Sequence, residues 1–89
     1  MAAMTIEAMQ RDDRVMSVAR ALSAANEVAG QHGTDVASSL VTISEESSPT
    51  GWLWRIHYGP KDFLGRRGGD LSVLVDEHTA EVRQVVRGQ

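Results

Sequence analysis

Trp52-Leu53-Trp54-Arg55-Ile56-His57-Tyr58 alternates without a break. A β-strand turns successive side chains to opposite faces, so Trp52, Trp54, Ile56 and Tyr58 share one face and Leu53, Arg55 and His57 the other. Three of the chain's four aromatic side chains stand in that single row, with Phe63 apart from them. Such a row is either the centre of a core or a binding face, and the rest of the chain must supply whatever covers it.

Downstream, residues 59–70 (Gly-Pro-Lys-Asp-Phe-Leu-Gly-Arg-Arg-Gly-Gly-Asp) hold four glycines, a proline and three basic side chains. Twelve residues of this composition read as a long loop, and long loops are more often functional or mobile than short ones. Residues 71–76 form a strand with Leu71, Val73 and Val75 on one face and Ser72 and Leu74 on the other. A turn at Asp76–Ala80 leads into a last strand, 81–87, carrying Val82, Val85 and Val86.

Upstream, Val41 and Ile43 alternate with Thr42 and Ser44 in a strand over 36–45. The polar segment Glu45–Gly51 breaks it. Residues 12–29 read as a helix with Val15, Val18, Ala19, Leu22, Ala25 and Ala29 on one stripe and Asn26 as its polar member. Asp12 and Asp13 suit the positive end of the helix dipole, and Gly30 and Gly33 supply the stop. The stripe is rich in small side chains, so a sheet can approach closely. Residues 1–11 are expected to form a flexible arm. The order is α-β-β-β-β. It predicts an α+β fold, an N-terminal helix packed on a four-stranded antiparallel sheet, as one domain over 1–89.

Composition narrows the function. The chain has 89 residues, no cysteine and a net charge of −3, so disulfides, thiolate chemistry and Cys-ligated metals are excluded. Eight of the nine basic residues are Arg, yet no segment is basic enough to track a phosphate backbone, and nucleic acid is not an expected partner. No apolar run approaches the ~20 residues of a membrane span. The first ten residues lack the basic start of a signal peptide, which makes the cytoplasm the expected compartment and a membrane an unexpected partner.

The stretch Asp70-Leu-Ser-Val-Leu-Val-Asp76-Glu-His-Thr79-Ala-Glu-Val82 resembles the strand–turn–strand V-x-V-D-x-x-T-G-x-V of small cystatin-like α+β domains. PepSY domains and YrhB-like bacterial immunity proteins carry this hairpin, after a helix and a Trp-bearing strand similar to Gly51–Tyr58 here. The motif covers residues 52–87. Ala80 stands where those families usually have a Gly of positive φ, which implies either a different turn type or a turn with a small strain. Likeness to the immunity proteins implies a non-catalytic chain that binds and occludes a bacterial toxin. Likeness to PepSY domains implies a module that regulates a peptidase.

Among the reactive side chains, His32, His57 and His78 show no metal-binding spacing. The pairs Asp12-Asp13, Glu45-Glu46 and Asp76-Glu77 are sequence neighbours that do not share a face, so none is a ready acid–base dyad. No Ser lies in a G-x-S-x-G or S-x-x-K setting. No catalytic residue, cofactor or metal ligand is therefore assigned, and the chain is expected not to be an enzyme.

Gly65-Arg-Arg-Gly-Gly69 is the strongest binding candidate. Its glycines can turn N–H groups toward an anion, and Arg66 and Arg67 can grip a carboxylate or phosphate. The same residues also read as a solvated connector, or as a small-anion site. With Lys61 these arginines would steer an acidic protein surface, while Arg55, His57, Trp52 and Trp54 would supply contact area. A single helix covers one sheet face, so Leu53, Leu74 and Val85 or Val86 are expected to be exposed or covered by another chain. A protein partner or a homodimer follows from that expectation. If the loop steers association, replacing Arg66 and Arg67 by Ala slows partner binding and flattens its salt dependence, and an unchanged salt slope removes the loop from the interface.

Overall fold

In a computed structural model of the chain, residues 6–60 and 70–88 are described. One helix, α1 (Ile6–Gln31), precedes four strands: β1 (Ser39–Ser48), β2 (Gly51–Pro60), β3 (Leu71–Asp76) and β4 (Val82–Arg87). The strands form an antiparallel meander in the order β1-β2-β3-β4. The predicted α+β class and element order are those observed. Within that order, the helix reaches back to Ile6 through the segment expected as an arm, and the polar residues Glu45–Ser48 belong to β1. The β1–β2 turn is reduced to Pro49 and Thr50, with Ser48 Oγ donating to the Gly51 carbonyl at 2.6 Å.

The helix passes through Gly30 and stops at Gly33, whose φ of 83° admits the left-handed cap. Thr34 N donates to Ala29 O at 2.9 Å and closes the helix end. The buried face of α1 keeps Val18, Leu22, Ala25 and Ala29 of the predicted stripe and adds Ala21 and Val28. Ala21, Ala25 and Ala29 are fully buried, with Val18, Leu22 and Val28 packed beside them. Val15 and Ala19 point to solvent instead. Residues four apart line up along a helix, so the three alanines form a smooth track that brings the backbone down onto the sheet. Beneath it lie Ile56, Tyr58, Leu71, Val73 and Val75, all essentially inaccessible to solvent.

Two polar contacts pin the helix along β2. Trp54 Nε1 donates to Ser17 Oγ at 2.8 Å, and Tyr58 Oη donates to Asn26 Oδ1 at 2.6 Å. Four strand residues and nine helix residues each span about 13 Å, so the two ties fit one parallel alignment of α1 on β2. Asn26, the polar member of the predicted stripe, is thus satisfied by the aromatic row. Burial pushes the Tyr58 phenol up to about 12, so it stays protonated and donates.

The opposite face is closed differently from expectation. Leu53 is 9% and Leu74 4% exposed, so neither needs cover from another chain. The register sets Leu53 between Glu46 and Asp76, and Leu74 between Arg55 and Gln84. The ion pairs Arg55–Glu46 at 3.4 Å and Arg83–Asp76 at 3.2 Å span this face, and long polar side chains shield apolar neighbours with their alkyl stems. Val85 pairs with Val73 and joins the core, whereas Val86 is opposite Ser72 and half-buried.

The β3–β4 turn matches the hairpin chemistry read from the sequence. Asp76 Oδ1 accepts from the backbone N–H of His78 at 2.8 Å and of Thr79 at 3.0 Å. The Thr79 and His78 N–H groups hold the Asp76 carboxyl down at about 2. Ala80 has a φ of 60° and is the one non-glycine residue of positive φ among those described. A Cβ in that region is strained by roughly 1–2 kcal/mol. Ala80→Gly relieves the strain at the cost of a half-buried methyl and extra unfolded-chain freedom. It is expected to stabilise the fold by about 0.5–1 kcal/mol in denaturant unfolding, and a loss of stability contradicts the strain.

Candidate functional site

The aromatic row of β2 divides into core and surface. Trp54 is 6% exposed, whereas Trp52, two residues earlier on the same face, is 51% exposed. The difference comes from the helix, which lies over β2 and β3 and leaves β1 and the first residues of β2 uncovered. On that uncovered side Ile43 is 36% exposed and Val41 half-buried. Trp54, offered by the sequence as a contact residue, is thus a core side chain whose edge faces a cleft.

The other sequence candidates are scattered. Arg55 is paired with Glu46 on the face away from the helix. His57 lies on that same face at 3.3 Å from Asp70. Lys61, Arg66 and Arg67 fall outside the described residues. The structure therefore does not gather Trp52, Arg55 and His57 into one surface, because strand alternation sends Trp52 one way and the other two the opposite way.

A cleft of about 480 Å³ opens between the N-terminal half of α1 and the β3–β4 turn, lined by residues that include Arg14, Met16, Ser17, Trp54, Glu77 and His78. The Arg14 guanidinium sits 5.3 Å from the Trp54 ring centroid and donates to both oxygens of Glu45 at 3.4 and 3.5 Å. Ser17 Oγ accepts from Trp54 and donates to the Glu77 carbonyl at 2.6 Å, so its proton is committed and it is no ready nucleophile. Glu77 N donates to Trp52 O at 3.3 Å, and the bond from Ser17 to the Glu77 carbonyl ties this turn to the helix.

Here the carboxyl groups of Glu45 and Glu77 are close enough to shift one another's ionisation. Glu77 Oε2 is shielded from solvent and has no hydrogen-bond partner. Burial, and then the Glu45 carboxylate, push Glu77 up to about 6. Glu45 moves the other way, lowered chiefly by the hydrogen bond from Glu77 and also by Arg14. The pair therefore keeps one proton into the mildly acidic range. Chemically this is a group able to give or take a proton near pH 6, beside a bound Arg and an indole. The sequence pairs Glu45-Glu46 and Asp76-Glu77 each contribute one member. No local spacing could reveal this, since β2 stands between β1, which carries Glu45, and β3, which leads into the turn at Glu77.

Among the described residues no three His, Asp or Glu side chains converge as a metal site, and no helix is long and apolar enough to cross a membrane. No protein-family model matches the chain, and neither a curated protein nor a solved structure matches it. The resemblance to cystatin-like domains rests on its own hairpin residues.

The raised Glu77 value has a definite sign. Between pH 4.5 and about 6 the folded chain holds more protons than the unfolded one, so stability falls as pH rises through that window. Glu77→Gln keeps a donor toward Glu45 and removes the titration. The variant is expected to melt higher than the parent at pH 7 and to lose the decline between pH 4.5 and 6. An identical pH profile for parent and variant places the strain elsewhere.

Proposed function

We propose that this chain is a non-catalytic protein-binding module whose contact surface is Trp52 together with the helix-side face of β1. The observation that carries this reading is the half-exposed Trp52, in a row whose other three members are buried. An indole held half in water by a rigid central strand is poised to bury area on contact at little conformational cost. Trp is also among the residues most enriched where binding energy concentrates. Ile43 adds an exposed apolar side chain on the same sheet face, opposite Ile56 and separated from Trp52 by the Glu45 and Ser47 positions, and Glu45 and Glu46 are each paired with an Arg of the same chain.

The immunity-protein form of this reading, occlusion of a bacterial toxin, is what the hairpin resemblance adds. Its electrostatic component rests on Lys61, Arg66 and Arg67. The PepSY-like form differs only in the partner, a peptidase in place of a toxin. A fold this small supports such a role because hydrogen-bonded strands hold the contact side chains in place.

Trp52→Ala is expected to change stability by about 1 kcal/mol or less, whereas Trp54→Ala loses about 3–5 kcal/mol and the fold with it. In pull-downs from cells, the parent chain should retain a stoichiometric protein that folded Trp52→Ala does not. Equal retention by both removes Trp52 from the contact surface, and the absence of any retained protein argues against the binding role.

A further inference from the structure

Of the two sheet edges, β4 is short and carries Arg83, Gln84 and Arg87, with Arg87 tied to the His32 carbonyl at 2.8 Å. β1 is different. It is ten residues long and pairs only with β2 among the described residues. Two of the six large apolar side chains exposed among those residues, Leu40 and Ile43, stand on it. Long edge strands are usually blunted by charge or proline, because a free ladder of N–H and C=O groups invites another strand. The only charges on β1, Glu45 and Glu46, are held by Arg14 and Arg55 of the same chain.

An antiparallel pair of identical strands about a twofold axis must be centred on a residue or on a gap, and opposed residues must have like orientation in the pleat. This limits the choice to residue-centred registers. Centring on Ile43 sets Glu45 against Val41 of the copy and Glu46 against its Leu40. Centring on Ser44 sets Glu45 against Ile43. Centring on Thr42 instead opposes Val41 to Ile43 twice, Thr42 to itself, Leu40 to Ser44 and Ser39 to Glu45. Apolar residues then meet apolar residues on the helix side, Thr meets Thr on the other, and the carboxylates lie at the margin opposite Ser. The segment Val41-Thr42-Ile43 is self-complementary about its own centre, which points to a second copy in preference to an unrelated strand.

We propose that two copies of this chain pair β1 to β1 in antiparallel register about Thr42, joining their sheets into one of eight strands with both helices on the same face. The pairing uses the edge of β1 and leaves Trp52 and its face open. It therefore goes beyond the partner surface proposed above and extends that surface by the neighbouring copy.

The chain has no cysteine, so single replacements report the register cleanly. Sedimentation velocity over a wide concentration range is expected to show a monomer–dimer equilibrium. Ile43→Lys, at a half-exposed position, should weaken it by about tenfold or more by setting a cation against Val41 of the copy. Under mild oxidation Thr42→Cys should form a disulfide-linked dimer faster than Ile43→Cys. A monomer at every concentration, faster linkage through Ile43→Cys, or a dimer that neither variant links overturns the proposal. Trp52→Ala should stay dimeric, so loss of a partner in that variant without loss of the dimer separates the two readings.

Discussion

The fold depends on a two-point alignment between α1 and β2. Trp54 reaches Ser17 and Tyr58 reaches Asn26, each by a hydrogen bond from the polar tip of an otherwise buried aromatic side chain. A buried indole N–H or phenol O–H left unpaired costs about 1–3 kcal/mol, so both tips must find acceptors, and the helix supplies them at matching intervals. The alanine track that runs from between the two ties to just beyond Asn26 then sets how near the helix lies. Larger side chains at Ala21, Ala25 or Ala29 would hold α1 off the sheet and pull the acceptors out of reach.

That alignment also decides what remains uncovered. A helix centred on β2 and β3 cannot shield β1, so Val41, Ile43 and Trp52 stay at the surface although they share a face with the core. The reverse face, which composition alone would leave open, is closed by its own charges: Arg55–Glu46 and Arg83–Asp76 flank the two leucines there. The proposed contact surface thus follows from where the helix is tied, and lies on the helix side of the sheet.

The same geometry builds the acid pair. Tying Ser17 to Trp54 brings Arg14 over the indole, and Arg14 then draws Glu45 toward the cleft where Glu77 already sits through the turn. Burial and the neighbouring Glu45 carboxylate then raise the Glu77 carboxyl to about 6, against the pull of Arg14. The cluster joins helix, first strand and last turn at the end of the molecule next to Trp52. A change in protonation there acts on the side of the fold that carries the proposed contacts.

Much of the architecture was legible locally. Period-two alternation marked β2 and β3, and the Asp-x-x-Thr signature foretold the carboxylate-bonded turn, because these are properties of neighbouring residues; Ala80 left two turn geometries open, and the structure shows the one of positive φ. The helix was legible in type and largely in face: Val18, Leu22, Ala25 and Ala29 of the expected stripe lie against the sheet, whereas Val15 and Ala19 point to solvent and Ala21, which gives little hydrophobic signal, is buried in their stead. The sequence by itself determined the elements, their order and the turn chemistry, since each is governed by contacts within a few residues. Only the tertiary structure decided which of Trp52 and Trp54 is core, how Leu53 and Leu74 are covered, and that Glu45 meets Glu77. Each of these depends on where α1 comes to rest, or on strands side by side, and such distances are not written in sequence spacing.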